Sequence, residues 1–184
     1  ACDLPDGYVA NSEDCDDGDI EVNPDGSEFC DGIDNDCSGY ADDGNVCPCP
    51  VHWDDDAHAY MFCNWTASWY DARDYCYGHG YHMLTINNMD ENLWSNAVCD
   101  MYSTQKWWLG YNDIEQEGTF TWENGSTSTY TFWGAGEPND YGGNEDCTQF
   151  NRYEDLTWND EPCAWSFRFV CEADDEGQVD GEGE

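Results

Sequence analysis

The chain has 184 residues, with 42 Asp and Glu against 4 Lys and Arg, a formal charge of −38. Nucleic acid and anionic membranes repel such a polyanion, so a basic-patch nucleic-acid binder is excluded. Wholesale disorder is excluded as well, because 16% of the residues are aromatic, with 10 Trp and 12 Tyr, and disordered acidic chains lack aromatics.

The 12 cysteines point to an oxidising compartment and a disulfide framework. No C-x2-C pair supports a zinc knuckle; Cys47-Pro48-Cys49 has the wrong spacing. No apolar run approaches about 18 residues, so no membrane span is expected. The opening Ala1-Cys2-Asp3 reads as a mature N-terminus, and the protein is expected to be secreted or displayed on a cell surface.

Three zones follow in chain order: 1–47, 48–172 and 173–184. The first carries 15 acids and no Lys or Arg, and has no apolar periodicity. It needs disulfides or metal to fold. Within it, Asp34, Asp36, Ser38 and Asp42 take positions 1, 3, 5 and 9 of an EF-hand-like calcium loop, with Gly39 at position 6. Asn45 stands at position 12, where a bidentate Glu is expected, which weakens the site. The stretch 11–44, with Cys30-Asp31-Gly32-Ile33-Asp34-Asn35-Asp36-Cys37, resembles the metal-binding motif repeated in secreted proteins of myxobacteria and related bacteria. A stretch stapled by disulfides alone is the competing reading.

In the second zone Thr66 reads as an N-cap, and Trp69, Ala72 and Cys76 recur at helical spacing, predicting a helix over 67–77. Met83-Leu84-Thr85-Ile86 reads as a strand. Asp90 caps a second helix with Leu93, Trp94, Ala97 and Val98 inward. Strands follow at Trp107-Trp108-Leu109-Gly110 and Thr119-Phe120-Thr121-Trp122. A polar stretch over 123–146 precedes Leu156-Thr157-Trp158 and a final strand over Phe167–Cys171. The fold class is α+β, and a loop of that length is expected to be functional. The third zone is acidic and Gly-rich and reads as disordered.

The long loop holds Glu137-Pro138-Asn139-Asp140 and Glu145-Asp146-Cys147, and the segment after it holds Trp158-Asn159-Asp160. Glu137, Asn139, Glu145, Asn159 and Asp160 form an all-oxygen donor set suited to Ca²⁺. These triplets, the Trp108-Leu109-Gly110 strand and cysteines 76, 147, 163 and 171 together resemble the C-type lectin domain. The resemblance implies a lectin-like fold, a cis Pro138, and bonds Cys76–Cys171 and Cys147–Cys163. It also implies a second cation held by Asp113, Glu117, Asp140 and Asp146, with Glu145 shared. Two adjacent sugar hydroxyls would complete the first calcium shell, bonding Glu137, Glu145, Asn139 and Asn159, with Tyr141 stacking on the ring. The Glu-Pro-Asn order resembles members preferring mannose, glucose, GlcNAc or fucose.

Among the remaining cysteines, Cys49 with Cys63 is preferred as the closure of a hairpin, and Cys99 has no evident partner. His52, His58, His79 and His82 form no metal pair and read as surface or hairpin residues. No GxSxG, HExxH or phosphate-binding loop is present, and the best-placed carboxylates are needed for metal, so no enzyme is expected. The leading expectation is a secreted bacterial Ca²⁺ lectin for mannose-type glycans. The rival is a structural subunit of a homo-oligomer, extracellular filament or surface assembly, in which calcium is only a staple and glycan binding is secondary or absent.

Overall fold

The computed structural model describes residues 15–16, 18–150 and 156–173. The acidic tail from 174 onward and the start of the metal-binding stretch lie outside the described residues.

The elements run β1 (Val51–Trp53), β2 (Ala59–Ala67), α1 (Trp69–Tyr77), β3 (Tyr81–Met83), α2 (Met89–Tyr102), β4 (Trp107–Asn112), β5 (Thr121–Trp122), β6 (Cys147–Phe150), β7 (Asn159–Glu161) and β8 (Phe167–Ala173). They form an 8-stranded sheet with the order β1-β2-β8-β4-β6-β7, with β3 on β8 and β5 on β4. The β4–β8 pair is parallel. The architecture is α+β, as expected.

Strand alternation sorts the apolar residues into two layers. Along β2, Met61 and Cys63 enter a layer with Trp69, Ala72 and Cys76 of α1. Tyr60 and Phe62 enter the other, with Val98 and Cys99 of α2 and with Trp107, Leu109 and Trp158. Two aromatic N–H groups are tied off inside the core: Trp69 Nε1 donates to Leu109 O and Trp108 Nε1 to Ala67 O.

Both helix starts differ from the sequence reading. Thr66 remains in β2, which continues to Ala67 opposite Phe167, so Ser68 caps α1 by accepting from the Asp71 N–H. Asn88, not Asp90, caps α2, accepting from the Glu91 N–H. The inner face of α2 also differs. Leu93 is 45% exposed and Ala97 is exposed, while Asn92, Ser95, Asn96, Val98 and Cys99 are buried. The reason is polar satisfaction: Asn92 Oδ1 accepts from Trp158 Nε1 at 2.8 Å, Ser95 donates to Glu91 O and Asn96 to Asn92 O. His82, read as a surface residue, is 6% exposed and its Nδ1 lies 2.8 Å from Met83 O.

The described disulfides are Cys15–Cys37, Cys30–Cys47, Cys49–Cys63, Cys76–Cys171 and Cys147–Cys163. Cys76–Cys171 spans 95 residues, worth about 4–5 kcal/mol in the chain-entropy account. Cys99 is free and buried.

The described part of the N-terminal zone has no helix or strand, and it packs on the sheet. The Asp42 carboxylate accepts from the N–H groups of Asp31 and Gly32 and from the Tyr81 hydroxyl. Trp53 Nε1 donates to Ala41 O at 2.9 Å, and its ring meets Tyr40 edge-on. Gly80 sits at φ 75°, where a Cβ would stand 1.9 Å from Asp31 O.

Two outcomes follow from this packing. Gly80→Ala should lower the thermal unfolding midpoint, since a left-handed Ala costs about 1–2 kcal/mol and the added methyl pushes the N-terminal zone off its seat. Limited proteolysis should cut that zone first. Asn92→Leu leaves the Trp158 indole N–H unpaired and should cost about 1–3 kcal/mol in urea unfolding.

Candidate functional site

The long loop joins β5 to β6 and is hung from β7. Trp158 N donates to Phe132 O at 2.8 Å, and Gly134 N to Trp158 O at 2.9 Å. The Cys147–Cys163 bond links the start of β6 to the segment beyond β7. Antiparallel pairing sets Thr148 opposite Asp160 and Gln149 opposite Asn159. The loop therefore bends against a braced edge.

Asp160 is 1% exposed. Its carboxylate accepts from Asn139 N at 3.1 and 2.9 Å and from Asp140 N at 2.7 Å. The Glu137–Pro138 peptide is cis. Asn139 Nδ2 donates to the Glu137 carboxylate, and Asn159 Nδ2 to Asp160 O at 2.6 Å. Glu145 Oε2 accepts from Tyr141 N at 2.8 Å, and Asp140 Oδ1 from Glu145 N at 3.2 Å. This bonded set thus includes Glu137, Asn139, Asp140, Glu145, Asn159 and Asp160. Tyr141 projects beside it, 81% exposed.

Asp113 and Asp146 join the set through the backbone, as Asp113 N donates to Asp146 O at 3.0 Å. Asp113 Oδ2 accepts from Gly118 N at 2.7 Å. Its Oδ1 is buried with no hydrogen-bond partner, in a residue only 3% exposed. Glu117 is exposed.

The electrostatics are unfavourable for the protein alone. Burial, then the charges of Asp146 and Asp160, raise the Asp113 carboxyl above its ordinary value against the Gly118 hydrogen bond. Burial raises Glu145, with Asp160, Glu161 and Glu137 adding repulsion. Slight desolvation raises Glu117, followed by the charges of Asp113, Asp140, Asp146 and Asp160. The described basic residues bond other groups: Arg73 with Asp74, Lys106 with Glu161, and Arg168 with Asn64. A crowd of hard oxygens with one orphaned buried carboxylate oxygen fits a hard cation.

In the N-terminal zone, Asp34 accepts from Ser38 N and Gly39 N at 2.9 and 2.7 Å, and Asp36 accepts from Ser38 N at 3.0 Å. Carboxylate oxygens of Glu28, Asp34 and Asp36 lie within 4.8 Å of one another. Asp42, read as the position-9 ligand, is not among those three. It is 1% exposed and turns to Tyr81 and the N–H groups of Asp31 and Gly32, because that contact seats the zone on the sheet. Glu28, ahead of the 12-residue loop window, is the member of this group that the loop spacing does not indicate.

Known proteins resemble two stretches of the chain. The metal-binding motif named for Cu-binding MopE matches residues 14–43. Lectin BRA-3 of Megabalanus rosa is 32% identical over 131 residues, covering 68% of this chain and 78% of its own length. A C-type lectin mannose-binding isoform of Oxyuranus scutellatus is 32% identical over 136 residues, covering 71% of this chain and 86% of its own. The crystal structure of the C-type lectin CEL-I from Cucumaria echinata superimposes with a TM-score of 0.64 at 27% identity, over 68% of this chain and 96% of that one. The Lectin C-type domain family itself matches residues 66–173, and with the sheet, disulfides and braced loop already described, the chain belongs to the C-type lectin domain family.

Proposed function

We propose that the chain is a secreted, Ca²⁺-dependent lectin for vicinal diols of mannose-, glucose-, GlcNAc- or fucose-type sugars. The lectin unit is 48–172, preceded by a metal-binding module at 1–47. Its relatives are carbohydrate-binding proteins rather than enzymes at the level of the family. No helix among the described residues is long and apolar enough to cross a membrane.

The observation that carries this reading is the bonded set of Glu137, Asn139, Asp140 and Glu145 on the loop with Asn159 and Asp160 of β7. Glu137, Asn139, Glu145, Asn159 and Asp160 would hold one ion, and Asp113, Glu117, Asp140, Asp146 and the shared Glu145 a second. Calcium there would offer coordination positions to two adjacent sugar hydroxyls. Glu137 and Glu145 accept the hydroxyl protons. Asn139 and Asn159 donate their amide N–H groups to the hydroxyl oxygens. Glu137 and Asn139, which bond each other, are thus the acceptor and donor that a diol of one geometry takes. The exposed Tyr141 ring covers an apolar face of the sugar.

The protein should stay on mannose-agarose in calcium and elute in EDTA. Glu137→Gln should abolish retention with little change in thermal unfolding. A glycan array showing no binding at saturating calcium would overturn the lectin reading.

A second outcome concerns pH. Because Asp113 and Glu145 are raised in the folded protein, the native state holds protons that the unfolded chain has released. In EDTA, stability should therefore increase on acidification from neutrality to about pH 5, toward the ordinary carboxylate range. Calcium replaces those protons, so its stabilisation should be larger at neutral than at acid pH. Scanning fluorimetry across pH, with and without calcium, measures both trends.

A further inference from the structure

We infer that the chain carries a second ligand site, a groove around Arg168 that takes a sugar residue bearing one carboxylate, of the hexuronate type. The groove shares no residue with the calcium loop, and the inference does not depend on the Ca²⁺-lectin reading.

The groove is a cavity of about 470 Å³. It lies where Thr66 near the end of β2, the link from α2 to β4, and the start of β8 meet. Its walls include Lys106 and Arg168 and no Asp or Glu. In a chain of 42 acidic and 4 basic residues that lining is an exception. The cavity beside α1 includes Asp74, Glu115 and Glu123. The one at the start of α2 includes Asp54, Asp90, Glu91 and Glu172.

Within the groove, Arg168 has charge to spare. Its Nε donates to Asn64 Oδ1 at 2.5 Å, a neutral partner that fixes the guanidinium without cancelling it. Arg73 and Lys106, by contrast, pair with Asp74 and Glu161. Among the described residues no carboxylate pairs with Arg168, and its Nη1 and Nη2 groups have no hydrogen-bond partner. A guanidinium with both terminal nitrogens open is a two-pronged donor that a carboxylate meets with both oxygens. Lys106, held by Glu161 and lying 5.0 Å over the Phe167 ring, is a fixed donor beside it.

The rest of the lining decides what the carboxylate is attached to. A volume of about 470 Å³ falls in the range of small-molecule pockets, about 300–1,000 Å³, and exceeds what a bare anion fills. The hydroxyls of Thr66, Thr104 and Ser166 and the amide of Gln105 line the same groove. None of these four side chains has a hydrogen-bond partner among the described residues. They offer donors and acceptors to ring hydroxyls, and Phe167 adds an apolar wall. A polyhydroxylated ring with one acidic group matches this mixture. A single charge also fits better than many, because the net −38 repels a polyanion. Screening over about 8 Å at physiological salt leaves one carboxylate responding to the charges beside it.

The test uses the full chain in calcium, followed by NMR of the Arg168 Nε–H and Gln105 side-chain amide signals. It is titrated separately with sodium glucuronate, glucose and sodium acetate. Glucuronate should shift both signals saturably and bind about 10-fold or more tightly than either glucose or acetate. Excess mannose should not displace it. Arg168→Gln, read at Gln105, should weaken glucuronate about 10-fold or more, the effect of losing charge-assisted bonds. Thermal unfolding checks the variant's fold, and Arg168→Lys, which keeps the charge but removes the fork, should weaken glucuronate as well if Arg168→Gln misfolds. Acetate binding equally well would reduce the groove to a bare anion site and overturn the inference, as would equal binding of glucose. Displacement by mannose, or unchanged affinity in the Arg168 variants, would also overturn it. Retention on mannose-agarose is a separate measurement, so failure of the lectin reading is told apart from failure of this one.

Discussion

The antiparallel pairing of β2 with β8 is the contact on which the other parts rest. It joins Tyr60 to Glu172 and Met61 to Cys171, strands from opposite ends of the lectin unit. Their alternating side chains feed both core layers, and β8 then carries β4 in parallel and β3 on its other stretch. Such non-local pairing must overcome a large loop-closure entropy. The Cys76–Cys171 bond reduces that entropy by closing the same long loop covalently.

The functional loop inherits its order from this frame. β4 holds β6, and β6 holds β7, which presents Asp160 to the loop backbone. A single buried carboxylate thereby fixes Asn139 and Asp140. The hydrogen bonds partly offset its desolvation, but they leave the surrounding carboxylates crowded. The same residues that shape the loop are thus short of positive charge, so the loop's shape and its crowding of carboxylates are two results of one arrangement.

The N-terminal module repeats that logic on a smaller scale. Disulfides replace the apolar core it cannot build. Asp42 is used for docking on the sheet, and Glu28 braces the turn by accepting from Asp36 N.

The sequence by itself determined the fold class, because the Trp108-Leu109-Gly110, Glu137-Pro138-Asn139 and Trp158-Asn159-Asp160 triplets with their cysteines occur in a fixed order. It also determined the chemistry on offer, since a loop rich in carboxylates and amides has only hard oxygen ligands to give. Tertiary structure alone decided where the polar residues of α2 face, because Asn92 is buried for the sake of the Trp158 indole, a partner 66 residues away. It decided in the same way that Ser68, not Thr66, begins α1, since pairing with Phe167 keeps β2 running to Ala67. The turn of Asp42 toward Tyr81 and the Asp31 and Gly32 N–H groups has the same origin. Spacing along a loop fixes which residue types are near one another in the chain, but the direction of each carboxylate is set by the hydrogen-bond donors that folding brings to it.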